Sequence, residues 1–264
     1  MAIPQPDTPA RAVHDAQLAA FGRLTDAAQW LAACQGEAPA RTPQRIRAVV
    51  FGEQVAPLPA TETAARRAEV GLEVVTVTDY PQAYRLGEAT ADAEIDAGAD
   101  LLIPAGAEHA RVAAVVMGTM TQTEPVAVVG KQSSVEDWKR EVSAIRDSMF
   151  RARNLEGMEL VESCGSCVLA ALVGFITRAA QRRTPMLIDA PTTATAALLA
   201  ERDNPGVKEW LYATTLAPTP AHELALEKLG LHPLHELGME PQPALGALAV
   251  LPMLLTGVEI AADA

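Results

Sequence analysis

Short β-branched runs alternate along the chain with longer stretches whose apolar residues recur at helical spacing. Val13, Leu18, Phe21, Leu24, Ala27, Ala28 and Leu31 fall at such steps across 12–35. They predict one or two N-terminal helices, with Asp26 capping a helix over 27–34. A loop fills 36–44, and R-A-V-V-F over 47–51 reads as a short buried strand. A proline-bearing loop over 55–61, a helix over 63–70 and a strand over 72–78 follow. The middle predicts a helix over 84–97 stopped by Gly98, a strand over 101–103, a helix over 108–120, a strand over 126–129 ending at Gly130, and a charged amphipathic helix over 137–154. The last third predicts an apolar helix over 168–181, a strand over 186–188 ending at Asp189, a helix over 192–202, a short strand within 208–213, and a helix over 222–229 stopped by Gly230. A final apolar helix spans 244–260, with Pro252 as a point of kinking.

This alternation with short connections predicts an α/β fold: a three-layer arrangement of one parallel sheet with helices on both faces. Ligands of such sheets bind beyond the carboxyl ends of the strands. The rule places residues 103–106, Gly130 with Lys131, and Asp189 with Ala190 on one rim.

Composition narrows the partners. At 264 residues the chain can bury a sizeable core as one large or two small domains. Hydrophobic residues make up 49% and aromatics 4%, so the core is built from Ala, Val and Leu. A net charge of −12 repels nucleic acid and anionic lipid, so neither is expected as a partner, and an anionic substrate must be met by local groups. Residues 1–11 lack the basic-then-apolar pattern of a signal peptide, and the longest uncharged apolar stretch, 167–176, is half the ~20 residues of a spanning helix. The expectation is a cytoplasmic protein with no membrane partner, and three cysteines make no disulfide framework.

Several constellations carry potential chemistry. Cys164-Gly165-Ser166-Cys167 precedes a helix, where a dipole lowers a thiol pKa and a redox pair becomes possible. Paired with His232 and His235, the two cysteines supply four zinc-type ligands. The plainer reading, small residues packing a helix start, is preferred, and no metal or cofactor is expected. Glu108 and Arg111 stand three apart at the rim, as a surface ion pair or as part of a ligand site. Asp189 either binds a sugar hydroxyl or caps the following turn.

Four stretches carry a resemblance: I-D-A-G-A-D-L-L-I over 95–103, E-P-V-A-V-V-G over 124–130, the run from A-A-L-V-G-F through R-R-T-P-M-L-I-D to T-A-A-L-L-A within 170–200, and H-E-L-A-L-E-K-L-G-L-H-P-L-H-E-L over 222–237. In order and spacing they resemble the nicotinate-nucleotide:dimethylbenzimidazole phosphoribosyltransferases of cobalamin lower-ligand assembly. The resemblance implies a three-layer parallel domain with a small helical subdomain, here 1–44 and 241–264 packed together beside a 45–240 core, and a homodimer. It implies transfer of phosphoribose from nicotinate mononucleotide to a benzimidazole nitrogen, which needs amides for the phosphate and a carboxylate for the proton.

The family's glycine-rich phosphate loop is replaced here by Pro104-Ala105-Gly106-Ala107-Glu108-His109-Ala110-Arg111, with one glycine surviving. Its second loop becomes 214–222, where only His222 matches, and Pro243 stands at the place of the catalytic glutamate. The segment that helps form the benzimidazole pocket is shortened. Gly165, of a Gly-Gly turn, and Asp189 match as scaffold. The resemblance therefore implies a member with impaired transfer that binds a nucleotide or an aromatic base, or acts through a partner. No catalytic residue is assigned. Gly106, Glu108, Arg111, Gly130, Gly165, Ser166, Asp189 and His222 are the candidate ligand-binding residues. The alternatives are an active transferase using Glu108 or Glu240 as base, and a Cys/His metal or redox protein.

Overall fold

The computed structural model describes residues 2–7, 21–54 and 58–263. In chain order these form α1 (Arg23–Gln35), β1 (Ile46–Gly52), α2 (Pro59–Arg67), β2 (Gly71–Thr76), α3 (Tyr80–Asp96), β3 (Leu101–Ala107), α4 (Arg111–Thr121), α5 (Pro125–Val128), α6 (Val135–Ala152), α7 (Gly157–Ser163), α8 (Cys167–Gln181), β4 (Met186–Ile188), α9 (Pro191–Asp203), β5 (Leu211–Ala213), α10 (Pro220–Leu229) and α11 (Leu245–Asp263). The five strands are parallel and ordered β2-β1-β3-β4-β5.

Side chains of a strand point alternately to its two faces, so a strand buried on both sides feeds two cores. On β1, Val49 and Phe51 join the core under α8 and α9, with Leu102, Phe175 and Leu199. Ala48 and Val50 join the other, with Leu31, Ile103, Leu251 and Leu254 under α1 and α11. This is the three-layer α/β arrangement that the alternation predicts.

With few aromatics to fill space, the layers close through small residues. A Cβ on Gly87 of α3 would stand 1.9 Å from the Ala171 carbonyl oxygen of α8, and one on Gly174 of α8 would stand 2.1 Å from that of Tyr84. Backbone meets backbone at that crossing. Arg178 and Arg182 of α8 then clasp Asp92 of α3 at 2.9 and 2.6 Å. The same device joins α11 to α1, where a Cβ on Gly257 would lie 1.8 Å from the Leu24 carbonyl oxygen.

Several elements differ from the sequence reading. The run at 126–129 is a helical turn, α5, rather than a strand: β3 pairs directly with β4, leaving no sheet position between them, and Pro125 opens the turn. β3 runs on to Ala107, so α4 begins at Arg111, three residues later than the periodicity suggests. Gly22, not Asp26, is the N-cap of α1, and Asp26 lies in its first turn. The expected strand within 208–213 divides into a 3-10 turn, Val207–Trp210, and β5. α2 starts at Pro59, four residues before expected, and α7 is an element the pattern did not reveal. Val13 and Leu18 lie outside the described residues. Pro252 sits inside α11 without ending it. By length and composition α11 is long and apolar enough to cross a bilayer, and half of its apolar window is buried within the protein.

Candidate functional site

In this strand order the connections from β1 and β3 run to opposite sides, which opens a crevice at their carboxyl ends. The floor is narrow: a Cβ on Gly52 would stand 3.3 Å from that of Ala107. The residues that leave the two strands are Glu53 and Glu108. Behind them α8 begins with Gly165 in the left-handed region (φ 68°) and Ser166, whose Oγ accepts the Leu169 N–H at 2.9 Å. Burial pushes the Glu108 carboxyl up to about 7, against the pull of a Ser166 hydroxyl hydrogen bond and with the help of the Glu53 charge. Its Oε2 is shielded from solvent and has no hydrogen-bond partner.

The turn into α4 is closed by the chain itself. His109 Nδ1 accepts the Arg111 N–H at 3.1 Å, so the first amide of the helix is already engaged. The Arg111 guanidinium does not pair with Glu108, as the three-residue spacing suggested. It turns away and grips Glu141 of α6 at 2.8 and 2.5 Å. That hydrogen bond holds the Glu141 carboxyl below its usual range, although burial opposes it.

Two cavities open along this rim. One, of about 440 Å³, is bordered by Gly106, Glu108, His109, Thr192, Glu240 and Pro243. The other, of about 200 Å³, is bordered by Gly130, Lys131, Glu141 and Thr219. They share His109, Ala110, Pro191, Glu240 and Pro241, and so form one continuous edge. A larger hollow, about 1320 Å³, lies at the other end of the sheet, beside Gln44, Asp100 and Pro185 ahead of β1, β3 and β4.

The rim gathers Gly106, Glu108, Arg111 and Gly130, with Gly165 and Ser166 behind Glu108. Gly106 also has a packing reason: a Cβ there would stand 2.9 Å from Val168 Cγ1 and 3.0 Å from Leu172 Cδ1. Gly165, Ser166, Asp189 and His222 border neither cavity. Asp189 is buried, and its Oδ2 accepts the Ala247 N–H at 3.0 Å, fastening the start of α11; burial pushes its carboxyl up to about 6. It caps a helix 58 residues on rather than the turn after its own strand. His222 is also buried; its Nδ1 accepts the Ala217 N–H at 3.0 Å, and burial pushes its pKa down to about 4.

The Cys/His alternative is not assembled. Among the described residues no three of His, Cys, Asp and Glu come together to hold a metal. Cys164 and Cys167 are free thiols, and burial pushes both up, opposite to the lowered pKa of a redox pair. Two groups that shape the site escaped the sequence reading. Glu53 had a signal, as the first residue after the first strand of a doubly wound sheet. Glu141 had none, since its contact with Arg111 is purely tertiary.

The chain is a doubly wound parallel α/β protein, the class in which small molecules bind at the switch point. A family model described as "Phosphoribosyltransferase" matches residues 72–264. The chain is 35% identical to the nicotinate-nucleotide–dimethylbenzimidazole phosphoribosyltransferase of Corynebacterium efficiens, over 92% of this chain and 81% of that protein. It is 34% identical to the enzyme of the same name from Mycobacterium ulcerans, over 90% and 84%. The crystal structure of the Thermus thermophilus enzyme of that name shares the fold, with a TM-score of 0.84 over 97% of this chain and 96% of that one, at 23% identity. The chain belongs to the nicotinate-nucleotide:dimethylbenzimidazole phosphoribosyltransferase family.

Proposed function

We propose that this protein works in cobalamin lower-ligand chemistry as a binder of a flat nitrogen base, or of a nucleotide built on one, with phosphoribosyl transfer impaired. The observation that supports this reading is the state of the β3–α4 turn. A phosphate seated there needs free amides at the helix start. Here the Arg111 amide is given to His109, the Arg111 guanidinium is given to Glu141, and Glu108 adds a carboxyl. Pro243, at the place of the family's glutamate, has no acid–base group, and its carbonyl accepts the Thr61 hydroxyl at 2.8 Å. The 440 Å³ cavity beside these groups has room for a bicyclic base.

The test is calorimetric titration with dimethylbenzimidazole and, separately, nicotinate mononucleotide, followed by a turnover assay with both. The expected result is binding of the base at micromolar strength, about −8 kcal/mol, with no product formed. Turnover overturns the impairment. It favours a second reading that Glu108 encourages, since a carboxyl near 7 suits a general base. Binding of neither compound removes the ligand assignment.

A further inference from the structure

We infer that the 214–222 loop and the 240–246 segment form a lid over the rim cavities, shut in a state loaded with unmet polar groups and a strained alanine, and able to open apart from the rest of the fold. The lid governs access to the rim whichever ligand the rim takes. Both segments wall the cavities: Pro218 and Thr219 border the one of about 200 Å³, Pro243 the one of about 440 Å³, and Glu240 and Pro241 both. Behind that wall the start of α11 is pressed against the ends of β4 and β5. A Cβ on Gly246 would stand 2.4 Å from Thr215 Cγ2 and 3.2 Å from Asp189 Cβ.

Costs concentrate at this corner. Among the described residues six buried side-chain oxygens and nitrogens have no hydrogen-bond partner, and four of them lie here: Asp189 Oδ1, Thr215 Oγ1, Thr219 Oγ1 and His222 Nε2. The last is a donor, because His222 Nδ1 already accepts the Ala217 N–H at 3.0 Å. The backbone adds a fifth cost. Ala244 is fully buried in the left-handed region, at φ 59°, where an L side chain is strained. An unpaired polar group is costly only while water is kept from it. Opening hydrates these groups and releases Ala244, so the shut state bears costs that the open state does not. Few bonds hold it shut: Asp189 Oδ2 accepts the Ala247 N–H at 3.0 Å, the Pro243 carbonyl accepts the Thr61 hydroxyl at 2.8 Å, and His222 holds Ala217. Costs and ties fall on the same two segments, so the segments open together and at a lower free energy than global unfolding.

Hydrogen exchange followed amide by amide by NMR tests this. The Ala217 and Ala247 N–H groups report the lid. The Leu102 N–H, given to the Pro185 carbonyl at 3.0 Å in the buried sheet, reports global unfolding. The Asp137 N–H, given to Ser134 Oγ at the start of α6, reports an unrelated local opening. In the wild type Ala217 and Ala247 should share one protection factor, about tenfold or more below that of Leu102 and nearly independent of urea, because a local opening exposes little surface. Thr215→Val keeps the shape and removes one unmet hydroxyl from the shut state, and Ala244→Gly removes the strain. Each should slow exchange at both lid amides about five- to tenfold and leave Asp137 unchanged. Protection at Ala217 and Ala247 that matches Leu102 in size and urea dependence overturns the lid. Exchange that is unchanged or faster in either variant shows that the corner is not loaded, and overturns the inference as well.

Discussion

Substituting Gly87 by alanine tests the central packing claim most directly. The added Cβ would stand 1.9 Å from the Ala171 carbonyl oxygen, and ordinary contact begins at 3.4 Å. α3 and α8 must therefore separate by about 1.5 Å, and neither group is a flexible side chain that can swing aside. Overpacking a well-filled core costs about 1–3 kcal/mol, and a backbone-to-backbone collision belongs at the upper end. Alanine returns about 1 kcal/mol of helix propensity. The net loss is about 2 kcal/mol, a fall in Tm of about 4–8 °C for a chain of this size. Differential scanning calorimetry of Gly87→Ala, Gly174→Ala and the double variant reads it. Because both substitutions push the same two helices apart, the second costs less once the first is made. A Gly87→Ala protein as stable as the wild type refutes the reasoning, and so does a double variant whose losses simply add.

Asp189→Asn removes a carboxyl that burial holds near 6 against an ordinary 3.8. A raised carboxyl stabilises the fold below its unfolded pKa and loses that contribution as pH climbs through the folded one. Urea unfolding should show the wild type losing about 2 kcal/mol relative to Asp189→Asn between pH 4 and 6 and running parallel to it only above about pH 7; a constant difference contradicts the burial of the carboxyl. Arg111→Ala leaves the buried Glu141 carboxylate without its partner and should cost about 1–2 kcal/mol in urea, an amount limited by the half-exposed Arg111 and smaller in high salt. Cys164 and Cys167 should alkylate with iodoacetamide more slowly than free cysteine at pH 7.5, and a Cys164→Ser, Cys167→Ser protein should match the wild type in metal content; fast alkylation contradicts the burial that raises both thiols.

The layers of the fold were legible because strands buried on both faces are nearly continuous apolar runs, as at Val49, Val50 and Phe51. The rim was legible because the ends of such strands are where ligands bind. Where the reading failed, a short apolar run had to choose between states that periodicity does not separate. Residues 126–129 went to a helical turn because the sheet had no vacancy for them. The site was legible as positions and not as contacts. Arg111 stood beside Glu108 in sequence, but its partner came from α6, 30 residues away. Asp189 ends β4, yet its carboxylate serves the start of α11. A bond across that distance depends on how the layers stack, and no local pattern encodes it.

The self-closed turn at His109 bears on how the protein tolerates its surroundings. An open helix start beside a cavity collects whatever oxyanion is abundant, so a site built on one is permanently in competition with inorganic phosphate and phosphorylated metabolites. Here a ring from the same chain takes that place covalently tethered, at an effective concentration no free ion matches. The helix start thereby offers an oxyanion one donor fewer, and titrations in phosphate buffer should give the same affinities as titrations in its absence.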